Sequence, residues 1–241
     1  MPITLRSLIF LALAVAVGAA PLAAQQAQPK KKGANPAFAK VEDVPGLPRV
    51  LLIGDSISIG CTLAVRDELK GKANVHRPAT NCGPTTRGID EIDAWLGNSG
   101  NDKWDVIHFN FGLHDLKYVD DQGNNAEPGQ GKPQVSLTDY EKNLESLVAK
   151  MQATGAKVIF ATTTPVPSGS PARKLDDQKQ YNEVALAVMK KHGVEIDDLH
   201  AFALPKLAEI QLPANVHFKP EGSKQLARQV AAEIAKSLPA K

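Results

Sequence analysis

The sequence predicts an α/β domain: a parallel sheet with helices on both faces. Three observations carry this. Short apolar or β-branched runs alternate with helix-period segments. A chain of 241 residues, 43% of them apolar, is long enough for one sizeable core. Polar, glycine-containing stretches follow the apolar runs, and parallel sheets gather sites beyond the carboxyl ends of their strands.

The strand-like runs are residues 50–53, 75–77, 106–111, 158–161 and 194–196. The first exits into Gly54-Asp55-Ser56, and a helical pattern follows. Residues 120–133 are rich in Gly, Asn and Pro and break the rhythm. A connection this long is either a functional lid or disorder, and the residues leave both open. Over 138–154, Tyr140, Leu144, Leu147, Val148 and Met151 share one helical face. Thr138 with Glu141 reads as the capping box of that helix, and Gly155 as its stop. The last helix repeats Leu226, Val230 and Ile234 at every fourth position.

Residues 1–24 carry Arg6, an apolar run over 8–17, and small residues up to Ala24. This pattern reads as a secretory signal peptide cleaved after Ala24. The run is short for a spanning helix, which needs about 20 apolar residues; an uncleaved anchor is the alternative. Residues 25–48, rich in Gln, Lys, Pro and Ala, read as a disordered spacer before a domain over 49–241. The expected location is secreted or periplasmic, with no membrane association after cleavage. There Cys61 and Cys82 are permitted either a bridge or two free thiols, and the expectation is a Cys61–Cys82 bridge. The balance of 28 basic against 26 acidic residues argues against a nucleic-acid surface or a polybasic anchor.

Four stretches concentrate reactive residues: Gly54-Asp55-Ser56, Asn81-Cys82-Gly83, Gly112-Leu113-His114-Asp115 and Asn215-Val216-His217. The first three leave successive strands and open on one sheet edge. The fourth precedes the last helix and can fold over them. Alone, Asp55 and Ser56 read as helix caps. With the other stretches they read as a nucleophile loop accompanied by donors and a base.

In the order of these motifs, from about Arg49 to the C-terminus, the chain resembles the SGNH (GDSL-type) hydrolases. The resemblance implies a three-layer α/β/α sandwich, flavodoxin-like, with a parallel sheet of about five strands. It implies Ser56 as nucleophile and His217 as general base. The oxyanion hole would comprise the N–H groups of Ser56 and Gly83 and the side chain at His114. Asp55, Asn81 and Asp115 would support these groups, with Asp115 fixing its loop and Gly112 making the turn. No cofactor is implied.

Two positions depart from the family pattern. His114 stands where the family has Asn; an imidazole N–H can also donate, subject to its protonation. Ala214 stands three residues before the base, where the family has an acid. The expectation is therefore a Ser56–His217 dyad, with a backbone carbonyl of Pro213 or Ala214 accepting the second ring N–H.

The remaining histidines read as structural. His192 lies beside Gly193 at a helix end, His76 on a surface strand, and His108 within the apolar third run as a hydrogen-bonded core residue. His200 stands near a strand exit. A metal site from His108, His114, Asp115 and His217 is the rival chemistry. No HExxH or CxxC spacing supports it, and no metal is expected.

The reading is an exported serine esterase acting on an acetyl or short-acyl ester of a small molecule or carbohydrate. Alternatives are an acyltransferase on the same site and a non-catalytic glycan-binding protein, the latter favoured by Ala214.

Overall fold

The apolar runs become the strands of one sheet because both faces of each are covered. The computed structural model describes Met1 and residues 34–97 and 103–239. The signal peptide expected over 1–24 and the first part of the spacer lie outside the described residues. In chain order the elements are β1 (Arg49–Ile53), α1 (Ser56–Glu68), β2 (Asn74–His76), α2 (Thr85–Leu96), β3 (Val106–Phe109), β4 (Tyr118–Val119) and β5 (Lys132–Pro133). Then come α3 (Leu137–Ala153), β6 (Lys157–Ala161), α4 (Gln178–His192), β7 (Glu195–Asp197), α5 (Leu199–Ala203), α6 (Leu207–Ile210) and α7 (Pro220–Ser237).

Among the described residues the main sheet has five strands in the order β2-β1-β3-β6-β7, and every pairing is parallel. Leu51 pairs with His76 on one side and Ile107 on the other. Alternate side chains of β1 enter different cores. Leu51 and Ile53 join Ile92 of α2, Leu144 and Leu147 of α3, and Val188 of α4. Val50 and Leu52 join Val65 of α1 and Leu226, Val230 and Ile234 of α7. The result is a three-layer α/β/α sandwich with flavodoxin-like strand order. Strand addition reverses direction at β1 and β3, and the crevice outside their carboxyl ends is where such sheets bind ligands.

Three local expectations change. Helix α3 starts before Thr138: Ser136 caps it, accepting from the Asp139 N–H at 3.1 Å and donating to Asp139 Oδ2 at 2.6 Å. Residues 120–133 form an excursion closed by the antiparallel β4–β5 pair. Tyr118 ties it down, its N–H donating to Ala172 O at 2.8 Å and its hydroxyl to Asp177 Oδ2 at 3.1 Å.

The spacer is not disordered through Pro48. Ala37 is buried, and Asn74 accepts from the Val44 N–H at 2.9 Å while donating to Val44 O and Leu47 O. Residues 34–48 therefore form a strap on the domain, held by polar side chains that composition alone does not reveal.

The expected Cys61–Cys82 bridge is absent: the two are free, buried thiols, each in a different core on either side of the sheet. Burial pushes their pKa values up to about 12 and about 11, so both are inert as nucleophiles.

Candidate active site

Two adjacent residues divide two tasks at the exit of β1. Asp55 is the N-cap of α1, its side chain accepting from the Ile57 N–H at 2.9 Å. Ser56 is thus the first helical residue, and its hydroxyl is not used for capping. Helices leave their first N–H groups without intrahelical acceptors, and the Ser56 N–H finds no acceptor among the described residues. The Ser56 hydroxyl instead meets His217, Oγ to Nε2 at 2.8 Å. Ser56 is half-buried and His217 exposed, so the pair faces solvent.

His217 is delivered by a loop anchored on both sides. Leu212 N–H donates to His217 O at 3.0 Å, and Gln211 Nε2 donates to Pro165 O at 2.9 Å and Val216 O at 3.2 Å. The expected backbone acceptor for the imidazole is not what the loop supplies. Nδ1 lies 2.7 Å from Asn215 Oδ1, which also accepts the His217 backbone N–H at 3.0 Å. That backbone N–H can only donate, so the amide must turn its oxygen toward the ring. Nδ1 therefore carries the proton, and Nε2 presents its lone pair to the Ser56 hydroxyl. Ala214 turns the chain with φ of 50°. This left-handed step brings the amide of Asn215, two residues before the histidine, to its ring.

At the exit of β2, the expected oxyanion donor Gly83 already has a partner. Gly83 has φ of 65°, a left-handed conformation that suits glycine. Its N–H is not vacant: it donates to Asn81 Oδ1 at 2.9 Å. The neighbouring Cys82 N–H donates to Gly54 O at 3.2 Å, tying this loop to the one that presents Ser56.

A family model described as the GDSL-like lipase/acylhydrolase family matches residues 52–225, well over half of the chain. The chain belongs to that family. No curated protein sequence matches it. Among solved structures, a lipase/acylhydrolase from Enterococcus faecalis superposes with a TM-score of 0.63 at 20% identity, covering 81% of this chain and 99% of its own. An acetylxylan esterase from Geobacillus stearothermophilus gives 0.59 at 20% identity, covering 78% of this chain and 94% of its own. At such identities the likeness is one of fold.

In this GDSL-like domain the exit of β3 carries the third motif. A Cβ on Gly112 would lie 1.9 Å from Thr163 Oγ1, so only glycine lets the two loops approach. Asp115 is fully buried and accepts from the Thr85 N–H at 2.8 Å and the Thr85 hydroxyl at 2.5 Å. It thereby joins its loop to the start of α2. Arg173, which sequence reasoning missed, donates to Leu113 O from Nε at 3.1 Å and from Nη2 at 2.9 Å. His114 is half-buried and makes no hydrogen bond among the described residues. Burial lowers its pKa; Asp55 opposes this, and Arg173, Lys117 and His217 reinforce it. A neutral imidazole keeps one N–H to donate.

Burial pushes the Asp115 carboxyl from 3.8 up to about 7. Its second oxygen has no hydrogen-bond partner among the described residues. Between those two values the folded chain holds a proton that the unfolded chain has lost, so stability falls as pH rises through that window. Asp115→Asn removes the dependence. Urea unfolding should show the variant gaining on the parent by up to about 3 kcal/mol from pH 5 to pH 8.5. A constant difference between the two proteins would count against a proton-holding carboxyl.

The remaining histidines have structural partners. His108 Nε2 lies 3.0 Å from the buried Asp197 Oδ2, His76 lies 2.6 Å from Asp43, His192 lies 2.5 Å from Glu145, and His200 lies 3.3 Å from Gln178. Among the described residues, no three His, Cys, Asp or Glu side chains converge as a metal-binding group. Sequence reasoning missed Asn215 as the ring's partner. An Asn two residues ahead of a backbone N–H is the signal of a side-chain-closed turn, and it could have pointed there.

Proposed function

We propose that the chain is an exported serine esterase that hydrolyses an acetyl or short-acyl ester of a small molecule or carbohydrate. One observation carries the reading: the line from Ser56 Oγ through the His217 ring to Asn215 Oδ1, at 2.8 and 2.7 Å. Ser56 Oγ attacks the ester carbonyl carbon while its proton passes to Nε2 of His217. The oxyanion is met by the Ser56 N–H and the His114 ring, donors with no partner among the described residues. Gly83 joins them when its N–H leaves Asn81. Collapse expels the alcohol, which takes the proton from Nε2. Water then attacks the acyl-Ser56, losing a proton to Nε2; collapse breaks the acyl–Oγ bond, Ser56 Oγ takes that proton back, and the acid departs.

The open site and the signal-like residues 1–24 support an external substrate. The superposable acetylxylan esterases support a short acyl group. Asn215 removes the argument that favoured a non-catalytic binding protein, because the base is oriented without an acid at Ala214.

The test is hydrolysis of acetyl, butyryl and longer nitrophenyl esters, with stoichiometric labelling of Ser56 by an organophosphate. Turnover falling with chain length fits the reading, and absence of both turnover and labelling overturns it. A second test concerns His114. Losing one oxyanion donor lowers kcat by roughly 10²–10³-fold. His114→Ala should show that loss, whereas His114→Asn, which restores an N–H donor, should recover most of it. Equal losses in the two variants would remove His114 from the oxyanion site.

A further inference from the structure

Arg77 follows β2 and is half-buried, and no carboxylate pairs with it among the described residues. Its five N–H groups have other acceptors. Nη2 donates to Gly54 O at 3.2 Å and Thr80 O at 3.4 Å. Nη1 donates to Thr62 Oγ1 at 2.7 Å and Ser58 Oγ at 3.3 Å, both on α1. Nε donates to Pro78 O at 3.3 Å.

These acceptors are not scattered. Gly54 immediately precedes Asp55-Ser56, and Thr80 immediately precedes Asn81-Cys82-Gly83. One planar cation therefore joins the loop that presents the nucleophile to the loop that holds Gly83, and locks both to the first turns of α1. The strap over residues 34–48 covers it: the Phe38 ring centroid lies 5.6 Å from the guanidinium carbon. Neighbouring Arg66 reaches the strap carbonyls of Pro36 at 3.4 Å and Ala39 at 3.5 Å. A buried cation is costly unless its donors are satisfied. Here they are satisfied by loop carbonyls and helix hydroxyls, which gives the charge a geometric task.

We infer that Arg77 is a positioning residue that sets the separation between the Ser56 N–H and the Asn81–Gly83 loop, and with it the width of the oxyanion site. The inference rests on the esterase reading. It gives Arg77 no contact with substrate. A lysine cannot replace it, because an ammonium is a point charge with three donors and cannot span acceptors that a planar fork reaches.

The test compares the parent with Arg77→Lys, which keeps the charge and loses the fork. Misplacing reactive groups by about 1 Å can lower a rate by about 10²-fold. We expect kcat to fall by about 10- to 100-fold with KM within about threefold. Inactivation by diethyl p-nitrophenyl phosphate, whose phosphoryl oxygen gains negative charge in that site during attack, should slow by the same factor. The acid limb of the kcat profile should not move, because the bonds among Ser56, His217 and Asn215 do not involve Arg77. If Arg77→Lys does not fold, Thr62→Val removes the shortest of the five bonds isosterically and should show the same pattern at smaller amplitude. An active parent with variants of unchanged kcat overturns the inference alone, as does a loss accompanied by a shifted acid limb or a raised KM. A parent that neither turns over nor is labelled overturns the esterase reading and takes the inference with it.

Discussion

Ser56→Ala is expected to abolish ester hydrolysis while leaving the fold in place. Removing the nucleophile of a serine hydrolase has lowered kcat by about 10⁶-fold in a protease, and a loss of that order sets the ceiling here. Any residual rate would reflect binding and the remaining oxyanion donors. The fold should tolerate the change because Asp55, not Ser56, caps α1. Substitutions away from packing and capping usually change stability by at most about 0.5 kcal/mol, so the melting temperature should move by no more than about 2 °C. The two readouts are the initial rate on an acetyl ester and the thermal unfolding midpoint. A variant that retains most of its turnover would place the nucleophile elsewhere.

The second large effect belongs to Asn215. The amide orients His217 through a bond at 2.7 Å, with its oxygen fixed toward the ring by the backbone N–H at 3.0 Å. Asn215→Leu removes both acceptor bonds and frees the imidazole to turn. An acidic triad partner replaced by an amide has cost about 10⁴-fold through the wrong tautomer. Here the loss should be about 10²–10³-fold, since the tautomer would be unfixed rather than inverted. Asn215→Asp tests the opposite direction. It keeps the acceptor and adds a charge beside the imidazolium that forms during attack. Charge-assisted bonds exceed neutral ones by about 1–1.5 kcal/mol, so kcat should rise by about tenfold. Ala214→Asp, in the family's usual acid position, should change kcat by less than about threefold, because the ring already has its partner. If Ala214→Asp raises kcat more than Asn215→Asp does, Asn215 is not the orienting group.

These expectations combine residues that were legible in the sequence with others that were not. Residues 50–53 and 158–161 read as strands and lie within β1 and β6, because continuous apolar runs between polar turns have few alternatives in a sheet covered on both faces. The buried face of α3 was legible from Tyr140 to Met151, since helical spacing is local. Its start was not: Thr138 with Glu141 and Ser136 with Asp139 are both acceptable caps, and the approach of the preceding chain selected the second. The 120–133 connection stayed open between a lid and disorder because Gly, Asn and Pro suit both. Its order comes from Tyr118 reaching Ala172 and Asp177, partners more than fifty residues away in sequence.

Motif order along the chain was enough to nominate Ser56 and His217 and to anticipate that their loops share one sheet edge. Strand direction alone determines which ends of a parallel sheet face the same side. The partner of His217 Nδ1 was beyond that reasoning. It depends on the left-handed turn at Ala214 and on the anchoring of Gln211 to Pro165, which bring an amide where a backbone carbonyl was expected. The same holds for Gly83, whose N–H is taken by Asn81, and for Arg77, whose acceptors lie on three separate elements. Periodicity and motif spacing are properties of neighbouring residues, so the sequence carries them directly. Hydrogen-bond partners across loops are chosen by distances that exist only after the sheet has assembled and its two cores have closed.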